Sequence, residues 1–97
     1  MKIVGKRIAE ARRAKGISQE DAAVLADMHV TSYGALERGS GNPALFTIVR
    51  IAHALEVDPG SLITGLTKAD IPGAEHMLTA SQFIEERTLR SGRARTR

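Results

Sequence analysis

The sequence predicts an all-α fold, and three observations carry that prediction. Apolar residues recur at helical spacing in two long stretches, Ile3, Val4, Ile8 and Ala11 in one and Leu45, Ile48, Ile51, Ala52 and Leu55 in the other. Start and stop signals for helices punctuate the first 66 residues at short intervals. No stretch alternates apolar and polar residues as a half-buried strand would.

The elements follow in order. The first helix runs from about Ile3 to Lys15, with Lys6, Arg7, Arg12 and Arg13 off its apolar face and Gly16 as its stop. Ser18 offers an N-cap hydroxyl, and Glu20 and Asp21 sit in the next turn, where the helix dipole favours acids. Ser18-x-x-Asp21 is close to a capping box, although Asp is shorter than the usual Glu or Gln. A second helix from Gln19 to about Ala26 follows, then a tight turn at Asp27-Met28. A third helix from about Val30 to Arg38 is ended by Gly39-Ser40-Gly41-Asn42-Pro43, and a fourth spans Leu45 to Leu55. Asp58-Pro59 supplies a cap and a first-turn proline for a short fifth helix through Ile63. Beyond Gly65, LTKADIPGAEHM has turn residues and no period, and reads as a linker or irregular loop. Thr79-x-x-Gln82 matches a capping box and opens a final helix to about Arg90. SGRARTR is expected to be disordered. The chain thus divides into a five-helix domain, residues 1–66, and a segment 67–97 of linker, short helix and basic end.

Composition narrows the functional classes. The core must be aliphatic, since Tyr33, Phe46 and Phe83 are the aromatics. With no cysteine, and no two histidines at ligand spacing, neither a thiolate site nor a metal centre is expected, and no cofactor is implied. No Ser/His/Asp set, carboxylate pair or phosphate loop stands in a setting that would make an enzyme. No apolar run approaches the ~18–20 residues of a membrane span, and the start resembles no signal peptide, so a cytoplasmic protein is expected. The net charge of +3 is unevenly spread: residues 1–66 hold eight Lys/Arg against seven Asp/Glu, and residues 67–97 hold six against four. The body is nearly neutral, so any binding to a polyanion must come from where its charges sit.

Two short helices joined by a tight turn, within about 65 helical residues, make helix-turn-helix architecture. Here GKRIAEARRAKGISQEDAA, ALERGSGNP and IVRIAHALEVDPGSLI resemble, in order and spacing, the Cro and phage-repressor type of regulator, also called XRE-like. The resemblance runs from Val4 to about Leu66 and implies a lambda-repressor-like five-helix domain that binds double-stranded DNA, as a homodimer on a two-fold operator.

That resemblance also assigns roles. It implies that Gln19 contacts a phosphate and braces the recognition helix, and that His29 is the N-cap of that helix. Val30, Thr31 and Ala35 match base-facing positions, with Ser32 at the edge of that surface. Met28, Tyr33 and Leu36 match inward slots. Arg12 and Glu37 match a structural pair tying the first helix to the end of the third, and Arg38, Ser40 and Asn42 fall in the loop that grips the DNA backbone.

Departures from the pattern carry information too. Asp27 stands where the turn usually has Gly, and Asp tolerates a left-handed backbone better than most residues. Gly34 lies inside the recognition helix, either to make room beside Tyr33 or to let the helix approach the groove or a phosphate. Val30, Thr31 and Ala35 cannot make the bidentate base contacts worth ~1–3 kcal/mol each, so readout should lean on thymine methyls, water and DNA shape. Val24, Leu25 and Phe46 are apolar where the resemblance expects polar residues. With Ile63 and Leu66 they mark a surface covered by a second subunit or by the chain's own last helix, whose anchors are Phe83 and Ile84. The expected function is a DNA-binding regulator, most simply a repressor. The alternative is an antitoxin-like subunit whose C-terminal segment binds a partner protein.

Overall fold

The structure, a computed structural model, describes residues 2–95, with side chains as far as residue 92. It is helical throughout: α1 (Lys2–Lys15), α2 (Gln19–Leu25), α3 (Val30–Glu37), α4 (Leu45–Leu55), α5 (Pro59–Ile63) and α6 (Ala80–Arg95), with a 3-10 turn at Lys68–Asp70. Among the described residues there is no strand.

Local chemistry accounts for most boundaries. Gly16, at φ 72°, turns the chain out of α1. The Ser18 hydroxyl accepts the Asp21 N–H at 3.0 Å while the Asp21 carboxylate accepts the Ser18 N–H at 3.1 Å, so the short Asp completes the capping box. Asp27 takes the left-handed conformation expected of it, φ 57°, and the Met28 N–H then reaches back to the Ala23 carbonyl. α3 ends at Gly39, φ 81°, with the Ser40 N–H bonded to the Ala35 carbonyl. Two expected caps differ: His29 and Asp58 occupy N-cap positions with extended backbone, but neither side chain makes a capping bond. Glu56 ends α4 in a left-handed conformation, φ 56°, where no glycine was available to signal it.

The core is aliphatic with one aromatic. Val4, Ile8, Ala22, Ala23, Ala26, Tyr33, Ile48, Ile51, Ala52, Leu55 and Leu62 form a single buried cluster, and Met28 and Leu36 pack against it. The alanines of α2 let three helices approach closely, and each fully buried Ile or Leu contributes roughly 1.5–3 kcal/mol. Arg7 adds a tie: its guanidinium donates to the carbonyls of Leu62 (3.2 Å) and Thr64 (2.6 Å), holding α1 to the end of α5.

Residues 67–78 are better ordered than a plain linker. A second capping box, Thr67 with Asp70, nucleates the 3-10 turn, and the Lys68 ammonium donates to the carbonyls of Glu75 (2.7 Å) and Met77 (2.9 Å). Ala74 is buried, 2% exposed, and Ala69, Asp70 and Pro72 line a depression shared with Lys2, Ile3 and Gly39. This segment therefore folds back over the N-terminus of α1.

α6 opens on the expected capping box, with the Thr79 N–H donating to the Gln82 side chain at 2.9 Å and the Gln82 N–H to the Thr79 hydroxyl at 3.2 Å. It continues past Arg90 to Arg95, so SGRAR is helical rather than disordered; Thr96 and Arg97 lie outside the described residues. A Glu86–Arg90 pair at 2.9 Å and the helix-favouring Arg and Ala residues extend it through Gly92. The helix stands off the body. The molecule measures 68 × 22 × 18 Å with a radius of gyration of 19.5 Å, against about 12–13 Å for a compact chain of this length.

Candidate nucleic-acid interface

The α2–turn–α3 unit is held to α1 by a part-buried polar network. The Arg12 guanidinium donates twice to Glu37, Nε to Oε2 at 2.7 Å and Nη2 to Oε1 at 3.1 Å, and a third time to the Ile17 carbonyl at 3.0 Å. The side chains of Arg12 and Glu37 are only 13% and 4% exposed. From α2, the Gln19 Nε2 donates to the Glu37 Oε1 at 2.9 Å. One carboxylate at the end of α3 thus gathers donors from both preceding helices. Burial opposes its ionisation, but the hydrogen bonds from Arg12 and Gln19, with the Tyr33 hydroxyl close by, outweigh burial and hold Glu37 below its ordinary range.

Tyr33 lies beneath this network with its ring fully buried. Its hydroxyl oxygen is buried with no hydrogen-bond partner, yet lies near enough to Glu37 and Arg12 to feel their charges. Burial first, and then the Glu37 carboxylate, push the phenol well above its usual range, so Tyr33 stays neutral.

Gly5 fixes how close α1 and α3 come. A Cβ at Gly5 would collide with the Leu36 carbonyl oxygen and lie 2.7 Å from that of Glu37. The close approach brings Arg12, two turns further along α1, within reach of Glu37. The sequence held one signal for this, a glycine inside an apolar helical pattern, which usually has a packing reason.

The outer side of α3 is open. Val30, Thr31 and Ser32 are exposed on its first turn and Ala35 is half-buried. Arg38, Ser40 and Asn42 are exposed along the following turn and loop, while Gln19 is half-buried between Glu37 and Gly34. The network joins Arg12, Gln19 and Glu37 but makes no contact with Ser40 or Asn42. Gly34 faces two side chains from other positions. Its absent Cβ would meet Arg38 Nη1 at 3.2 Å and Gln19 Oε1 at 3.4 Å, and Gly34 is itself buried.

The apolar positions singled out from the sequence fall into two sets. Val24 and Phe46 are 76% and 78% exposed on the body and Ile63 is also exposed, whereas Leu66 is partly buried against the chain's own core. Phe83 and Ile84 are exposed on α6, where the Arg87 guanidinium lies over the Phe83 ring at 5.6 Å. α6 therefore does not cover Val24 or Phe46 of its own chain. Among the described residues, no group of His, Cys, Asp and Glu could hold a metal ion, and no helix is long and apolar enough to cross a membrane.

Known proteins are similar to this chain in sequence and fold. A helix-turn-helix family model matches residues 8–62. An uncharacterised HTH-type transcriptional regulator of Sinorhizobium fredii, y4dJ, is 36% identical over 63 residues, which is 65% of this chain and 82% of the relative. The solved structure of the restriction-modification controller protein C.AhdI from Aeromonas hydrophila is similar with a TM-score of 0.61 and 39% identity, covering 63% of this chain and 92% of that one. With the matched segment spanning α1 to α5 and the α2–turn–α3 unit at its centre, the chain belongs to the helix-turn-helix family of DNA-binding transcriptional regulators, of the XRE-like type.

Proposed function

We propose that the protein is a homodimeric repressor that reads a two-fold operator with α3 and holds the DNA backbone through Gln19, Arg38, Ser40 and Asn42. One observation carries this reading: α3 is fixed to α1 and α2 through the buried Glu37 carboxylate, while Val30, Thr31 and Ser32 stay exposed on its first turn. A rigid support with an uncommitted outer face suits docking into a major groove. Val30 and Ala35 offer methyl groups to thymine and Thr31 adds one hydroxyl. Discrimination at each base pair is then modest, and DNA shape supplies the rest. Repression is the simplest outcome, because a bound dimer occupies the duplex that other proteins need. The protein works in the cytoplasm, and residues 1–66 carry the DNA-binding function.

Ala35→Gln adds a bidentate group at a base-facing position and should shift the preferred sequence toward adenine there. Thr31→Ala should relax the preference at its own position with little change in stability. Competition between duplexes, scored by anisotropy, measures both. Unchanged preference in the two variants would mean that α3 is not the reader.

The second subunit is the partner that best accounts for the exposed apolar residues. Helical stability in proteins comes mostly from packing an apolar face, yet α6 leaves Phe83 and Ile84 exposed while the body leaves Val24, Phe46 and Ile63 exposed. Docking α6 on the body of a second copy would bury both sets and space two α3 helices about 34 Å apart, one turn of DNA. A chain ending at Leu78 keeps the buried Ala74 and should remain helical, but dimerise and bind operator more weakly in sedimentation and binding assays. If the shortened chain is as dimeric as the whole one, α6 serves another protein, as an antitoxin-like subunit would require.

A further inference from the structure

The space over Gly34 is occupied by two side chains that arrive from different elements. Arg38, the C-cap of α3, stands one turn beyond Gly34 and folds back, so that its Nη1 would lie 3.2 Å from a Cβ at Gly34. Gln19 reaches in from α2, its Oε1 3.4 Å from the same point. The Gln19 Nε2 donates to Glu37 at 2.9 Å, and Oε1 is the amide atom on the Gly34 side, where the guanidinium also lies. Among the described residues the Arg38 guanidinium has no ion-pair or hydrogen-bond partner, although it carries a full charge on a nearly neutral body.

Resting on the proposed DNA interface, we infer that Gly34 is a positioning residue: its missing Cβ leaves a ledge on which Arg38 lies beside Gln19, and this ledge aims the guanidinium at one DNA phosphate. The arrangement forms a chain of contacts from core to surface. Arg12 anchors Glu37, Glu37 fixes the Gln19 amide, and the Gln19 carbonyl oxygen shares the space over Gly34 with the guanidinium. The planar guanidinium has five donors in a fixed fork, so one edge can rest against Gln19 while another grips a phosphate. A methyl group at position 34 is tighter than ordinary van der Waals contact with Arg38, and Arg38 is the neighbour able to move, since it is exposed and flexible. The cost of the extra atom therefore falls on aim rather than on folding. Gly34 does not have a positive φ, so Ala is not strained there.

The test compares the full-length chain with Gly34→Ala, Arg38→Ala, the double variant and Arg38→Lys, binding one selected and one unrelated duplex over a range of salt. Gly34→Ala should keep its melting temperature, weaken binding to both duplexes alike, and lower the slope of log affinity against log salt by about one, as Arg38→Ala does. The double variant should be no weaker than Arg38→Ala alone. Arg38→Lys keeps the charge without the planar fork, so it should recover only part of the binding. Gly34→Ala with wild-type binding and slope, losses that add in the double variant, or full recovery by Arg38→Lys would each overturn the inference. A wild-type chain that binds neither duplex would instead remove the proposed interface, and this inference with it.

Discussion

Arg12→Ala should lower stability by about 3–5 kcal/mol, because it strands the Glu37 carboxylate in a site where its side chain is 4% exposed. Two donors to that carboxylate disappear, and so does the tie to the Ile17 carbonyl; only the Gln19 amide bond remains. A solvated pair would be worth about 0–1 kcal/mol, so the size of the loss itself reports burial. For a domain of this size the melting temperature should fall by more than about 10 °C. Replacing both partners by apolar residues of similar volume should do less harm than Arg12→Ala, since no buried charge is then left alone.

The same pair sets a pH dependence. Glu37 is depressed in the folded state, so its stabilisation is fully present above the ordinary carboxylate range of about 4–4.5. It is lost as pH falls through the lower, folded value. In Arg12→Ala the burial that opposes ionisation is no longer outweighed, so acid should relieve part of the penalty by protonating Glu37. The gap between the two melting curves should narrow from pH 7 toward pH 4. A constant gap would mean that the charge on Glu37 is not what Arg12 stabilises.

Gly5→Ala is the second large effect. Helix propensity alone would favour Ala by about 0.8–1 kcal/mol. Against that, the new Cβ meets two backbone carbonyls at the end of α3, atoms that cannot swing aside as a side chain can. Overpacking of this kind costs typically 1–3 kcal/mol and occasionally more. Moving α1 away would also stretch the Arg12–Glu37 bonds, so the net loss should be about 2 kcal/mol or more. Gly92→Ala in α6 is the control: a Cβ there meets nothing within 4 Å, so propensity acts alone and helicity should rise. Equal responses at the two positions in thermal melts would show that α1 and α3 are not in close backbone contact.

What could be read from the sequence was local. The limits of α4, the capping boxes at Ser18 and Thr79 and the left-handed turn at Asp27 each depend on residues within a few positions of one another. The Arg12–Glu37 pair came from the family resemblance, since nothing in a spacing of 25 residues specifies a contact. The parts that were missed depend on tertiary placement. Gly34 faces Gln19 because α2 and α3 cross there, and the Arg7 bonds to Leu62 and Thr64 link residues more than 50 positions apart. The loop after Leu66 looked irregular because Lys68 organises it through backbone carbonyls, which leave no side-chain signature. α6 outran its expected end because Gly92 is a cost to a helix, not a barrier.

If α3, braced by Glu37, reads a two-fold site through soft contacts, the sequences it binds should show it. Selection of bound fragments from a pool of random duplexes, using the full-length chain, tests it most directly. An inverted repeat with half-site centres about one helical turn apart is expected, with thymines enriched where Val30, Thr31 and Ala35 meet the major groove and only modest preference at each position. A pool that stays unenriched, or one that converges on a single asymmetric site dominated by guanine, would contradict it.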